Sequence, residues 1–305
     1  MSDWPLAAVR FGLYGGLGLF FGLPFFVLVH RGGESLWRML RLGGALVILA
    51  GLSIVLSLLG FLLLVARMSA TPLGGLDMGL VQTLLIESAI GWALVVRVGA
   101  LVAGLVAALL LPAGRAKSAL LALCGAIAVA TLAWAGHGAG GEGTVGLARV
   151  AADVVHLLAA STWIGALAVL LALVLPGSQI THERIEKAHA ALAGFGRTGT
   201  VAVLLIVLTG AANVAFTVDP AALPTLGVST YGRLLLVKLV LFAAMLGCAV
   251  LNRYGLTPAL QASIARGELR PSLSGLRRSI AIETSLAFGV LALVGWLGML
   301  EPGGG

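Results

Sequence analysis

The chain has 305 residues, 60% of them hydrophobic and only 10% charged, with a mean hydropathy of +1.09. Soluble domains carry roughly a quarter charged residues, so this composition excludes a soluble globular protein and indicates a polytopic membrane protein. The net charge of +7 and pI near 10.2 do not point to nucleic acid, because the charges gather at the ends of apolar runs, as membrane topology requires.

A bilayer core takes about 20 apolar residues per helix. Eight runs meet that need: 6–29, 42–66, 82–111, 118–136, 148–175, 190–215, 231–252 and 278–299. The predicted fold is all-α, a single transmembrane domain over 1–305 built as a bundle of eight helices, with membrane lipid as its surroundings. The first run is too long for a signal-peptide core and is followed by His30-Arg31 rather than small residues, so a retained helix is expected. Pro24 is expected to kink it, and the pairs Gly12/Gly16 and Gly18/Gly22 offer small faces for close helix contact. Cys124 and Cys248 each lie in an apolar run, so no disulfide framework is expected. A role for them in relaying a soft ion is left open beside simple packing. The last five residues read as a short exposed end.

Orientation follows from Lys and Arg. The connections after the first, third, fifth and seventh runs hold Arg31, Arg38, Arg41, Arg115, Lys117, Arg184, Lys187, Arg253, Arg266, Arg270, Arg277 and Arg278. The opposite side has only Arg10, Arg67, Arg149 and Arg233, all at helix ends. Both termini are therefore expected outside the cytoplasm, on the periplasmic side of a bacterial inner membrane.

Residues 134–167 concentrate the chemistry. A glycine-rich turn carries His137 and Glu142, and the next run carries Asp153, His156 and Trp163. Polar groups at membrane depth are costly and mark sites. His137 is expected at the outer mouth, and His156 about 12 Å into the fifth run. Asp153 and His156, spaced i, i+3, share a helix face. A carboxylate there is placed to hold the imidazole in one tautomer for a metal. An ordinary hydrogen-bonded pair, with His137 a solvated loop residue, accounts for the same spacing.

Imidazole suits copper, zinc and iron, and thioether favours Cu(I). The candidate metal ligands are accordingly His137, His156 and Asp153, joined by Glu87 and the outer methionines Met68, Met78 and Met299. Two histidines on adjacent helices also suit a b-type haem; c-type attachment lacks its CxxCH motif. Arg97, Lys238 and Glu283 are read as structural ion pairs, with Lys238 able to snorkel outward and Glu283 near the cytoplasmic end beside Arg278. No HExxH, usable GxSxG or Walker A motif is present, so no enzymatic activity is expected.

Four segments resemble the CopD family of bacterial copper-resistance membrane proteins: Gly136-His137 followed by His156 through Trp163-Ile164-Gly165; Phe195 through Thr209-Gly210 and Asn213; Tyr231-Gly232-Arg233 through Lys238 with Asn252-Arg253; and Arg277-Arg278-Ser279 with Glu283. The likeness spans 134–300, a CopD-like core, whereas helices one to four (1–133) add hydropathy alone over the first three. Ala166 stands where the family often has glycine, and Gly138 where alanine is frequent. The resemblance implies copper as the bound ion, in either oxidation state, imported from periplasm to cytoplasm for copper homeostasis. It also implies a separate periplasmic CopC-type copper-binding protein as partner. Two other readings stay open: a b-type cytochrome using His137 and His156, and a factor that hands copper to a membrane oxidase without transport.

Overall fold

The computed structural model describes residues 4–30, 33–135, 143–175, 182–218, 227–266 and 269–300. The helices are α1 (Trp4–Val29), α2 (Gly33–Met39), α3 (Leu42–Met68), α4 (Met78–Glu87), α5 (Ala89–Leu110), α6 (Arg115–Ala130), α7 (Gly143–Val174), α8 (His182–Thr217), α9 (Thr230–Leu251), α10 (Thr257–Arg266) and α11 (Leu269–Leu297). Among the described residues, eight helical spans are long and apolar enough to cross a membrane. They coincide with the eight expected runs. The protein is an all-α, multi-pass membrane protein.

Four runs differ from expectation at their boundaries. The third run is two helices, because Ser88 takes an extended conformation and accepts a hydrogen bond from the Gly91 amide at 3.0 Å, starting α5 afresh. Gly91 lies against the carbonyls of Leu84 and Leu85, where a Cβ would not fit. The fifth run begins earlier, at Gly143, and the sixth begins by His182. The seventh continues through a π-helical turn, Asn252–Leu256, into α10. Hydropathy marks where lipid ends, whereas backbone hydrogen bonding carries a helix beyond it.

The centre of the bundle is α1. It packs on α3, α6, α7 and α11, and Leu17 and Phe20 are fully buried. Small residues allow this, each pair serving a different neighbour. Gly12 and Gly16 face Leu56 and Ser53 of α3, and Gly18 and Gly22 face Ser161 and Gly165 of α7. At Gly22 a Cβ would lie 2.8 Å from the Gly165 Cα and would overlap the Ser161 carbonyl oxygen. Such backbone proximity gives the dense van der Waals contact that holds helices together in lipid. Helix α8 lies on α7, and α9 on α11. Both expose leucine and valine, among them Leu204, Leu208, Leu236 and Val240, as lipid-facing helices do.

The two ends of the bundle differ. Arg10 donates to the Gly298 carbonyl at 3.0 Å, so the start of α1 and the end of α11 meet at one end, called here the terminal face. At the opposite, basic face the cations cap helix C-termini. Lys117 donates to the carbonyls of Ala108 and Leu111 at 2.7 and 2.9 Å beyond α5. Arg184 and Arg277 donate to those of Ala172, Leu173 and Val174 at the end of α7. Helix C-termini attract cations because their last carbonyls lack intrahelical partners.

Candidate functional site

The polar residues of α7 form two stations on one side of the helix. Nearer the terminal face are Asp153 and His156, both half-buried. Their i, i+3 spacing puts them on a common face, as expected, but they are not bonded to each other. His156 Nδ1 lies 3.1 Å from the Thr209 Oγ1 of α8, and the ring also meets the Ile206 carbonyl. Thr209 donates its own proton to the Leu205 carbonyl, so its oxygen accepts from Nδ1–H. That bond assigns the tautomer and leaves the Nε2 lone pair available. Gly210 lies opposite the ring, where a Cβ would stand 3.4 Å from Cε1, so α8 can approach closely.

Asp153 accepts from Asn213 Nδ2 at 3.3 Å, while the buried Asn213 Oδ1 has no hydrogen-bond partner. The half-buried Lys238 of α9 acts electrostatically on both Asp153 and His156. The station therefore presents an imidazole nitrogen, a carboxylate and an amide oxygen, with an ammonium group nearby. The expectation that Asp153 orients His156 gives way to orientation by Thr209, because α8 supplies an acceptor at Nδ1 and a separate donor to the carboxylate.

The second station lies seven residues further along α7, about 10 Å on the same face. Trp163 Nε1 donates to Glu283 Oε1 at 2.8 Å, and Asn252 Nδ2 donates to Glu283 Oε2 at 2.8 Å. All three side chains are buried. Glu283 is thus in the interior of α11, bound to neutral groups, and not beside Arg278, which is exposed. Between the stations lies an apolar layer containing Ala159, Ile206, Met245 and Ala287, with Phe242 packed on it. Met245 is a buried thioether that hydropathy alone could not distinguish from packing. Only its place between the stations sets it apart.

The other expected ligands lie elsewhere. Met68, Met78 and Glu87 are exposed at the ends of α3 and α4, and α4 packs on α5 and α3. Met299 follows α11 at the terminal face, next to the Arg10–Gly298 contact. Met68, Met78 and Glu87 are not brought to the His156 ring by their helices, because α3 and α4 pack chiefly on α1, on α5 and on each other. His137 and Glu142 lie outside the described residues. Among the described residues no three His, Cys, Asp or Glu side chains form a cluster that could hold a metal. Arg97 is buried and donates to Thr131 Oγ1 at 2.8 Å and to its carbonyl, so among the described residues its partners are neutral and not the ion pair expected of it.

Comparison with known proteins extends the sequence likeness to the first helices. A family described as copper resistance protein D-like, N-terminal domain, matches residues 1–147, and one described as copper resistance protein D matches residues 189–297. The chain is 36% identical to Copper resistance protein D of Pseudomonas syringae pv. tomato over 99% of this chain and 98% of that one. It is 30% identical to Inner membrane protein YebZ of Escherichia coli over 56% of this chain and 55% of that one. No solved structure matches.

Proposed function

Because this chain belongs to the copper resistance protein D family, we propose that it receives copper at the His156 station and carries it across the bacterial inner membrane toward the cytoplasm. The observation behind this reading is the set of ligand atoms that α7 and α8 bring together: His156 Nε2, the Asp153 carboxylate and the orphaned Asn213 Oδ1. Imidazole nitrogen with oxygen donors suits Cu(II) better than Cu(I), which prefers sulfur. Copper is the cargo here. The positive-inside rule assigns the basic face, where Lys and Arg cluster, to the cytoplasm, so copper taken up at the terminal face would move inward. A relative named as an inner membrane protein supports that membrane.

In this reading Thr209 holds the imidazole with Nε2 toward the ion, and Asp153 offsets its charge. Lys238 keeps Asp153 electrostatically occupied until copper arrives, and its ammonium favours departure of the ion over tight retention. His137, which precedes α7 in the sequence, is the further ligand proposed. A separate CopC-type protein would deliver the ion at the terminal face.

The test is metal content and visible spectrum of the purified protein, wild type beside His156→Ala. Copper bound by the wild type and lost in a folded variant supports the site. Stoichiometric copper in His156→Ala removes the residue from it, and a Soret band lost with the same change makes the protein a cytochrome instead. Tight binding without copper uptake into vesicles would favour hand-over to another protein.

A further inference from the structure

The second station carries an unbalanced charge. Glu283 is 3% exposed, at mid-depth in α11, where an ionised carboxylate normally requires a cation. Among the described residues no cation answers it from any packed element. On α11 itself Arg277 is committed to the Val174 carbonyl and Arg278 is exposed. Arg253, in the π-helical turn, donates to the Gly196 carbonyl and Thr200, and its neighbour Tyr254 is exposed. Arg266 at the end of α10 is exposed. On α1, Arg10 is held by Gly298 at the terminal face, Tyr14 lines a cavity with Arg97, and His30 stacks on Phe26. On α7, Asp153 and His156 belong to the other station. On α9, Lys238 acts on Asp153, and Cys248 is the titratable group that interacts with Glu283.

What surrounds the carboxyl is neutral and partly unsatisfied. Trp163 and Asn252 each donate to one oxygen. Asn252 Oδ1 and Ser279 Oγ, both in side chains only 6% exposed, have no partner. Ser279 is one turn from Glu283 on the same face of α11. Asn252 opens the π-helical turn, a wide turn of a kind frequent at functional sites.

An amide serves a carboxyl group in both protonation states. With Nδ2 toward Glu283 it donates to the carboxylate; turned over, its Oδ1 accepts from the carboxylic acid. We propose that Glu283 and Asn252 form a proton-exchange site in the bundle. On uptake, a proton carried by water from the basic face forms an O–H bond at Glu283 Oε2, leaving neutral water. That O–H then donates to the turned Asn252 Oδ1, while Trp163 keeps its bond to Oε1. Release reverses these steps. The site holds one proton and does not depend on copper, so it stands apart from the reading of the His156 station.

The test uses the full chain in lipid nanodiscs, free of copper, with infrared difference spectra recorded between pH steps. A carbonyl band of a protonated carboxyl should appear as pH falls, be absent in Glu283→Gln and be retained in Asp153→Asn. Asn252→Leu should displace its midpoint by about one pH unit or more, the scale on which a lost hydrogen bond acts. A change in Asn252 that affected packing alone would leave the midpoint in place. No such band between about pH 4 and 10, or a band that persists in Glu283→Gln, would overturn the proposal. Should Glu283→Gln fail to insert, the Asn252→Leu midpoint decides: unchanged, it overturns the assignment.

Discussion

The two stations on α7 share a helix face but have opposite characters. At the first, His156 and Asp153 are half-buried and borrow their partners from α8, leaving lone pairs over. At the second, both Glu283 oxygens are held by Trp163 and Asn252 in a closed interior. Removing a partner from a buried charge costs its desolvation, whereas a half-exposed group can turn to other partners. The first station is therefore expected to be dispensable for folding and needed for the ion. The second is expected to matter for both stability and proton exchange.

Three changes break or sharpen this contrast. The largest effect is expected where the stations share a support. Gly22→Val would drive a side chain into the Ser161 carbonyl and the Gly165 backbone. Overpacking against rigid backbone should cost more than about 3 kcal/mol, with loss of monodisperse protein on size exclusion. Normal assembly of this variant would mean that α1 and α7 separate easily.

Trp163→Phe deletes one donor to Glu283 while keeping an aromatic side chain. A hydrogen bond to a charged buried group is worth about 2 kcal/mol, so detergent unfolding should occur at a lower midpoint with copper content unchanged. Equal loss of copper would show that the stations are coupled. The smallest effect is expected from Thr209→Val, which removes the acceptor that orients His156 without touching the ring. Loss of an outer partner of a metal ligand typically weakens binding about tenfold or more. Titration of copper onto the variant should show this, with thermal stability within about 1 kcal/mol of wild type.

Much of the fold was legible in the chain. Twenty-residue apolar runs separated by basic turns leave few arrangements in a bilayer, because every backbone polar group must be paired inside a helix. The i, i+3 face of Asp153 and His156 was legible for the same reason: helical periodicity is local. The break at Ser88 was not, since it depends on an extended cap and on the fit of Gly91 beneath two carbonyls. The grouping of Glu87 and the outer methionines with His156 rests on shared depth alone. Depth says nothing about which helices are neighbours, and α3, α4 and α7 carry these residues to different places.

By itself the sequence determined the number of membrane-spanning runs, the opposite character of the two faces, the small faces of α1 and membership of a copper-resistance family. Those properties are sums over adjacent residues or stretches of similarity. Which polar group meets which was decided by tertiary structure. Trp163 and Glu283 are 120 positions apart, and Asn252 is 31 from Glu283. Only the packing of α11 against α7 and α9 brings the three together, with no cation beside the carboxylate among the described residues. In lipid, apolar surfaces do not discriminate between partners, so shape and hydrogen bonding choose the neighbours.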